Sequence, residues 1–192
     1  MFVYDVIKNV GQVLGLSDIL TEVESFKTSP NTFVPSDKMK TIIAFVSSKL
    51  REISRYNFPL RQKEIISLNA ESTFSLKNLT HVCYDVLRLT DVLDNRYDFI
   101  VSGSNVYASS HKNRTCIIYY LAESPSVSSL ADEISCDIRV SIDILTFGVC
   151  ALYCLTKVLT EESICYENKY KDLIDSAKNT IREKNVRFRG WA

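Results

Sequence analysis

The chain has 192 residues, 46% of them hydrophobic and 24% charged, and its 23 basic and 23 acidic side chains cancel to zero. That length and apolar content suit one globular domain with room for an inserted subdomain, and exclude a disordered chain. A neutral total excludes a protein-wide field that draws in nucleic acid or anionic membrane.

Along the chain, apolar side chains at Val3, Val6, Ile7, Val10, Val13 and Leu14 recur at helical spacing, and Gly15 sits where a helix closes. A polar connector is expected from Thr21 to Pro35, with its turn at Ser29-Pro30-Asn31. The next helix starts near Ser36-Asp37 and runs to about Arg55, with Met39, Ile42, Ile43, Val46, Leu50 and Ile53 on one stripe. Asn57-Phe58-Pro59 stops it, because the residue before a proline is pushed out of the helical region. Between Leu60 and Glu123 the period changes. The runs Lys63 to Leu68, Val82 to Thr90, Tyr97 to Ala108 and Thr115 to Leu121 are rich in β-branched and aromatic residues. Gly103-Ser104, between Ile100-Val101 and Val106-Tyr107, suits a two-residue type II′ hairpin turn. These runs predict a small antiparallel meander of four or five strands.

After Ser124 to Ser129, the residues from about Ile138 to Leu159 are apolar almost all round, and Leu152 is read as a buried position in their midst. Ile144 to Thr156 carries no charge, but it is far shorter than the roughly 20 residues of a membrane span, so a buried central helix is expected. The last helix, from about Glu162 to Lys184, puts Tyr166, Tyr170, Leu173, Ile174, Ala177 and Ile181 on one face. Acids at its start and Lys178, Arg182 and Lys184 near its end complement the helix dipole. Together the elements predict an α+β fold that is mainly a helical bundle: two N-terminal and two long C-terminal helices (1–59 and 124–184), an inserted small antiparallel β-meander (60–123), and a basic-aromatic C-terminal extension (185–192).

Reaction chemistry is hard to find. His81 opens a strand and His111 lies in a polar turn, and neither has a nucleophile or an acid at a catalytic spacing. Cys150 and Cys154 have a formal metal-ligand spacing but sit on an apolar helix with no second pair to complete four ligands. With no Cys-x-x-Cys and no secretory signal, the six cysteines read as free, mostly buried thiols of a protein made in a reducing cytoplasm. The sequons at Asn78 and Asn113 are then chance matches. The five glycines build no phosphate loop, and Asp132-Glu133 and Glu161-Glu162 are too close in sequence to share a helix face. No catalytic residue, metal site or cofactor is expected.

The tail stands apart. From Lys178 onward five basic residues face one acid, an excess of four, and Arg187-Phe188-Arg189-Gly190-Trp191 mixes planar cations with aromatics beyond the last stripe position at Ile181. Arg and Trp are the residue types of binding hot spots, so the segment reads as one that orders against a partner. Nucleic acid is one such target, though so short a run on a neutral protein binds it weakly.

Three stretches carry a family resemblance: Leu50 to Leu60, ending Tyr56-Asn57-Phe58-Pro59-Leu60; Phe99-Ile100-Val101-Ser102-Gly103-Ser104-Asn105-Val106-Tyr107; and Phe147 to Leu155, followed by Glu161-Glu162 and Tyr166-Glu167-Asn168-Lys169-Tyr170. With the element order, this pattern resembles the head-to-tail connector (adaptor) proteins of tailed phages, in particular the tail tubular protein A family and the portal-adjacent ring proteins of crAss-like phages. The resemblance implies a non-enzymatic virion protein of the neck, made in the host cytoplasm. It implies a homo-oligomeric ring, usually of twelve copies, docked on the portal and carrying the next tail or ring protein. DNA would pass through its channel without specific recognition, and no membrane is involved. The C-terminal extension would embed in the portal, a role that falls here to Arg182, Arg187, Phe188, Arg189 and Trp191. The competing expectation is a nucleic-acid-binding accessory protein that uses the same basic tail on phosphates.

Overall fold

The computed structural model describes residues 1–108 and 114–183, with side chains as far as residue 179. The chain divides into two compact units, Met1–Glu52 with Ser126–Ala192, and Ile53–Pro125.

The first unit is helical. α1 (Val3–Leu14) buries Val3, Val6, Ile7 and Val10 of the predicted stripe, while Val13 is exposed and Leu14 half-buried at its end. Gly15 ends it at φ 66°, with the Leu16 N–H donating to the Gly11 carbonyl and the Gly15 N–H to that of Gln12. That is the two-bond Schellman close, in which glycine takes the left-handed position without penalty. α2 (Ser17–Thr28) follows at once. α3 (Asp37–Tyr56) is capped by Ser36, whose hydroxyl accepts the Met39 N–H at 3.1 Å. α4 (Ile142–Thr156) starts at Ser141, whose hydroxyl accepts the Ile144 N–H at 3.3 Å. It starts later than the apolar run predicts because Ser141 supplies the cap, leaving Ile138 outside the helix and fully exposed. α5 (Thr160–Glu183) packs along α4, and α1 packs on α2 and α4. The hydroxyl of buried Ser163 donates to the Ala151 carbonyl at 2.9 Å and pins the start of α5 to α4. Leu145, Val149 and Cys150 of α4 are fully buried. Leu152 is only half-buried, not the core position that the run suggests.

A polar cluster around buried Lys49 joins α3 and α5 beside α4. The Lys49 ammonium lies 2.9 Å from Glu52, 3.6 Å from Glu167 and 4.5 Å from the centre of the Tyr170 ring. The Tyr170 hydroxyl donates to Glu52 at 2.9 Å. Gly148 makes room, since a Cβ there would meet the Tyr170 ring at 3.1 Å and the Lys49 stem at 3.2 Å.

The described residues of the second unit form seven strands: β1 (Leu60–Ser67), β2 (Thr73–Ser75), β3 (Cys83–Thr90), β4 (Arg96–Tyr97), β5 (Phe99–Ser102), β6 (Asn105–Ala108) and β7 (Thr115–Ala122). They form two antiparallel sheets, ordered β1-β7-β3-β4 and β2-β6-β5. The first and last strands pair along their whole length, from Leu60 with Ala122 to Ser67 with Thr115. Ile66, Val86, Leu89, Cys116, Ile118, Tyr120 and Ala122 of the larger sheet share one core with Val106 and Ala108 of the smaller, flanked by Phe74 and Phe99. Gly103, at φ 59°, begins the turn between β5 and β6, and Ser104 keeps a negative φ, the pattern of a type II′ turn.

The expectation of a mainly helical bundle with one small meander is overturned. Among the described residues, five helices and seven strands in two antiparallel sheets, 47% helix and 22% strand, make a mixed α+β fold. The reasons are local. The segment read as a polar connector holds α2, whose inward face is only Ile19 and Val23, too thin a stripe to mark a helix. Strands of two to four residues such as β2 and β4 are too short to show the alternation that identifies a strand. Pairing β1 with β7 is a long-range choice set by the shared core rather than by any turn signal.

Candidate interaction surfaces

His81 lines a cleft of about 380 Å³ in the second unit with Lys77, Thr80, Cys83 and Ser104. Burial pushes the Cys83 thiol up, away from the thiolate form that a nucleophile needs. All six cysteines are free, and burial beside Cys154 pushes the Cys150 thiol up to about 12. Among the described residues no group of three or more His, Cys, Asp or Glu side chains could hold a metal. Glu64 faces inward, but as a structural brace: it accepts hydrogen bonds from the Thr80 N–H at 3.1 Å, the Thr80 hydroxyl at 3.1 Å and the Tyr120 hydroxyl. No helix among the described residues is long and apolar enough to cross a membrane.

The surface is more informative at the corner between α4 and α5. Here the Leu159 N–H donates to the Cys154 carbonyl at 3.0 Å and the Val158 N–H to that of Leu155 at 3.1 Å, the same Schellman close that ends α1. At the left-handed position stands valine, at φ 61°. A β-branched residue with positive φ is a true backbone outlier, and such strain clusters at functional sites. The side chain is 83% exposed, so no core contact explains it. Around it Leu155 and Ile164 are 59% and 57% exposed, and Leu159 is also open. Between the helices Ala151, Leu152, Leu155 and Ile164 floor a groove of about 260 Å³ whose polar rim includes Asn168 and Lys171. Replacing Val158 by glycine is expected to raise stability by about 1 kcal/mol, because left-handed strain is relieved while the unfolded chain gains some freedom. Thermal melts should show the midpoint rising by about 2–4 °C in a chain of this size, and a fall would mean that the valine makes a stabilising contact.

A second apolar point stands on the second unit. Val92 and Leu93 are exposed on a turn fixed by Asp91, whose carboxylate accepts N–H groups from Leu93 at 2.8 Å and Asn95 at 2.9 Å. The Asn95 side chain also donates to it at 2.8 Å and, with those N–H groups, holds the Asp91 carboxyl below its usual range. The outer face of the larger sheet differs in character. A bulge at Leu87 shifts the register so that Arg88 lies opposite Tyr119, its guanidinium 3.9 Å from the ring centre. Lys63 approaches the same ring at 5.5 Å, and Arg61 and Arg96 are exposed nearby in the ladder.

Of the residues that sequence reasoning assigns to partner binding, Arg182 falls in the last turn of α5, and its side chain is not described. Arg187, Phe188, Arg189 and Trp191 lie outside the described residues, as does His111. The α4–α5 corner escaped that reasoning because Leu155, Val158 and Leu159 continue the apolar run of the buried helix. The missing glycine was the available signal: a reversal between two long helices usually shows one.

No protein-family model matches the chain, and no curated protein matches it.

Proposed function

We propose that this chain is a structural ring subunit of a tailed-phage head-to-tail connector, docking on the portal and carrying the next tail component. The exposed apolar corner around strained Val158 carries the reading. A side chain held at an energetic disadvantage and open to water is accounted for by a partner that covers it. Ring contacts are heterologous, so each subunit offers two unlike patches to its neighbours. The α4–α5 corner and the Val92–Leu93 turn are two such patches. The pattern resemblance supplies the rest: about twelve copies, DNA passing through without sequence readout, and a basic-aromatic tail from Arg182 to Trp191 that anchors in the portal. Twelve tails acting together turn modest individual affinity into firm attachment.

The test is a mass-spectrometric inventory of purified particles, in which the chain is expected at a fixed copy number matching the portal. A chain ending at Lys184 is expected to keep the far-UV spectrum of the full chain and to be missing from portal-containing particles. Assembly of that shortened chain at full copy number would move the anchor away from the tail. The exposed cations Arg61, Lys63 and Arg96 favour a second reading, a nucleic-acid-binding accessory protein. Steeply salt-dependent DNA binding by a protein absent from particles would select it.

A further inference from the structure

We propose that the outer face of the larger sheet is a contact surface for the phosphate backbone of duplex nucleic acid, held without any reading of bases. Such a surface serves a chain that lets DNA slide past it as well as one that holds DNA, so it depends on neither reading of the function.

The register of the ladder places the residues. Lys63, Tyr119 and Arg88 stand in one row across β1, β7 and β3. Arg61, Leu121 and Asp85 form the next row on one side. Ile65, Ile117 and Thr90 form the row on the other, which Arg96 of β4 extends. Residues directly opposite in a ladder share a face, and the other face of these strands carries buried Ile66, Ile118, Val86 and Tyr120. Arg61, Lys63 and Arg96 are exposed, and Arg88 is half-buried.

The charge on this face is unbalanced. Arg88 is engaged by Asp94 at 3.3 Å, and Asp85 stands a full strand away from Arg61, beyond Leu121. Among the described residues Arg61, Lys63 and Arg96 make no ion pair. Unpaired cations on an otherwise aliphatic face suit a regular line of anions, which is what nucleic-acid phosphates present. Arg61 and Lys63 lie about 7 Å apart along β1, and β4 with Arg96 lies three strand spacings away, about 14 Å. That span is close to the roughly 12 Å width of the major groove, so β1 and β4 can each address one of the two backbones that flank it.

Tyr119 decides between backbone and base. The Arg88 guanidinium lies 3.9 Å from its ring centre and the Lys63 ammonium 5.5 Å, and they come from strands on either side of β7. Cation–π attraction holds both heads in place before a ligand arrives, so less side-chain freedom is lost on binding. The same contacts occupy the ring. Tyr119 is the only aromatic in these rows, which leaves no free π-face for an unstacked base. A duplex, whose bases stay stacked, is therefore the fitting partner rather than a single strand.

Fluorescence anisotropy of a short labelled duplex tests the face in the full chain. Binding is expected, with affinity falling roughly 10- to 100-fold between about 50 and 200 mM salt, as about two to four phosphate contacts require. AT-rich and GC-rich duplexes are expected to bind alike. Arg61→Gln with Lys63→Gln, both at exposed positions, is expected to weaken low-salt binding at least about tenfold and to make the log–log salt slope shallower by about 2, with an unchanged melt. Arg96→Gln is expected to remove about 1 from the slope by itself. The Arg61 and Lys63 effect is expected to be the same in a chain that also carries Arg187→Gln and Arg189→Gln, which separates the sheet from the tail. No binding at low salt, a salt slope unmoved by these sheet variants, a strong preference for one duplex, or tighter binding of poly-glutamate than of duplex would each overturn the proposal, the last in favour of an acidic protein.

Discussion

Val149→Asp is expected to leave no soluble folded protein. Val149 is fully buried on α4, within a turn of Leu145 and Cys150, which are also fully buried. The cations that approach α4 are already engaged: Lys49 with Glu52 and Glu167, Lys38 with Asp18, Lys169 with the Phe147 and Tyr166 rings, and Lys157 with the Tyr153 ring at the helix end. A new carboxylate at Val149 would have no partner. An unpaired charge in such a place costs several kcal/mol, against a total stability of about 5–15 kcal/mol for a domain. The same change at half-buried Leu152 is expected to be much milder, since that side chain reaches the open groove. The soluble fraction after expression and a circular-dichroism melt read both variants. A Val149→Asp protein that melts like the parent would mean that α4 is not the core helix of its unit.

The contrast between Val149 and Leu152 shows how far the sequence reaches. A run that is apolar on every side announces burial but not which side is deepest, and the deep positions are those that α1 and α5 cover. α1 and α3 were legible because four or more apolar residues repeat on one face of each and their ends carry standard signals, Gly15 for one and Ser36 for the other. α2 was not, because its place depends on Ile19 and Val23 alone. In the second unit the longer strands stood out by composition. Their order did not, since the pairing of β1 with β7 depends on residues far apart in the chain. Alternation alone would also place Arg88 on the same face as Val86, and only the bulge at Leu87 sends it to the outer face beside Tyr119. At the candidate corner the sequence hid the feature that matters. A valine in a position that geometry reserves for glycine looks like one more apolar residue until its φ is known. The tail was legible as composition, and the groove between α4 and α5 was not, because a groove belongs to two helices at once.

Lys49→Met is expected to lower stability by about 2–4 kcal/mol. Methionine keeps most of the stem that packs against Gly148, so the loss comes from the charge. Without the ammonium, Glu52 keeps only the Tyr170 hydroxyl among these partners, and Glu167 keeps only the more exposed Lys171 at 3.6 Å. Removing one partner of a fully buried ion pair costs about 3–5 kcal/mol, and the exposure of Glu52 and Glu167, 39% and 33%, moves the expectation toward the lower end. Glu52→Gln placed on top of Lys49→Met should recover part of the loss, because the carboxylate left without its cation is gone, and the double-mutant cycle should show a coupling of at least about 1 kcal/mol. The pH dependence gives an independent check. Burial first, then the Glu52 carboxylate, hold the Tyr170 phenol above its ordinary value of 10.0. The unfolded chain therefore releases that proton at lower pH than the folded one, so the phenol's share of stability is complete below about pH 10 and declines as the pH rises further. Tyr170→Phe should make that alkaline decline shallower. If denaturant midpoints for Lys49→Met match the parent and the alkaline slope is unmoved in Tyr170→Phe, the cluster is surface decoration and α5 is held by its apolar face alone.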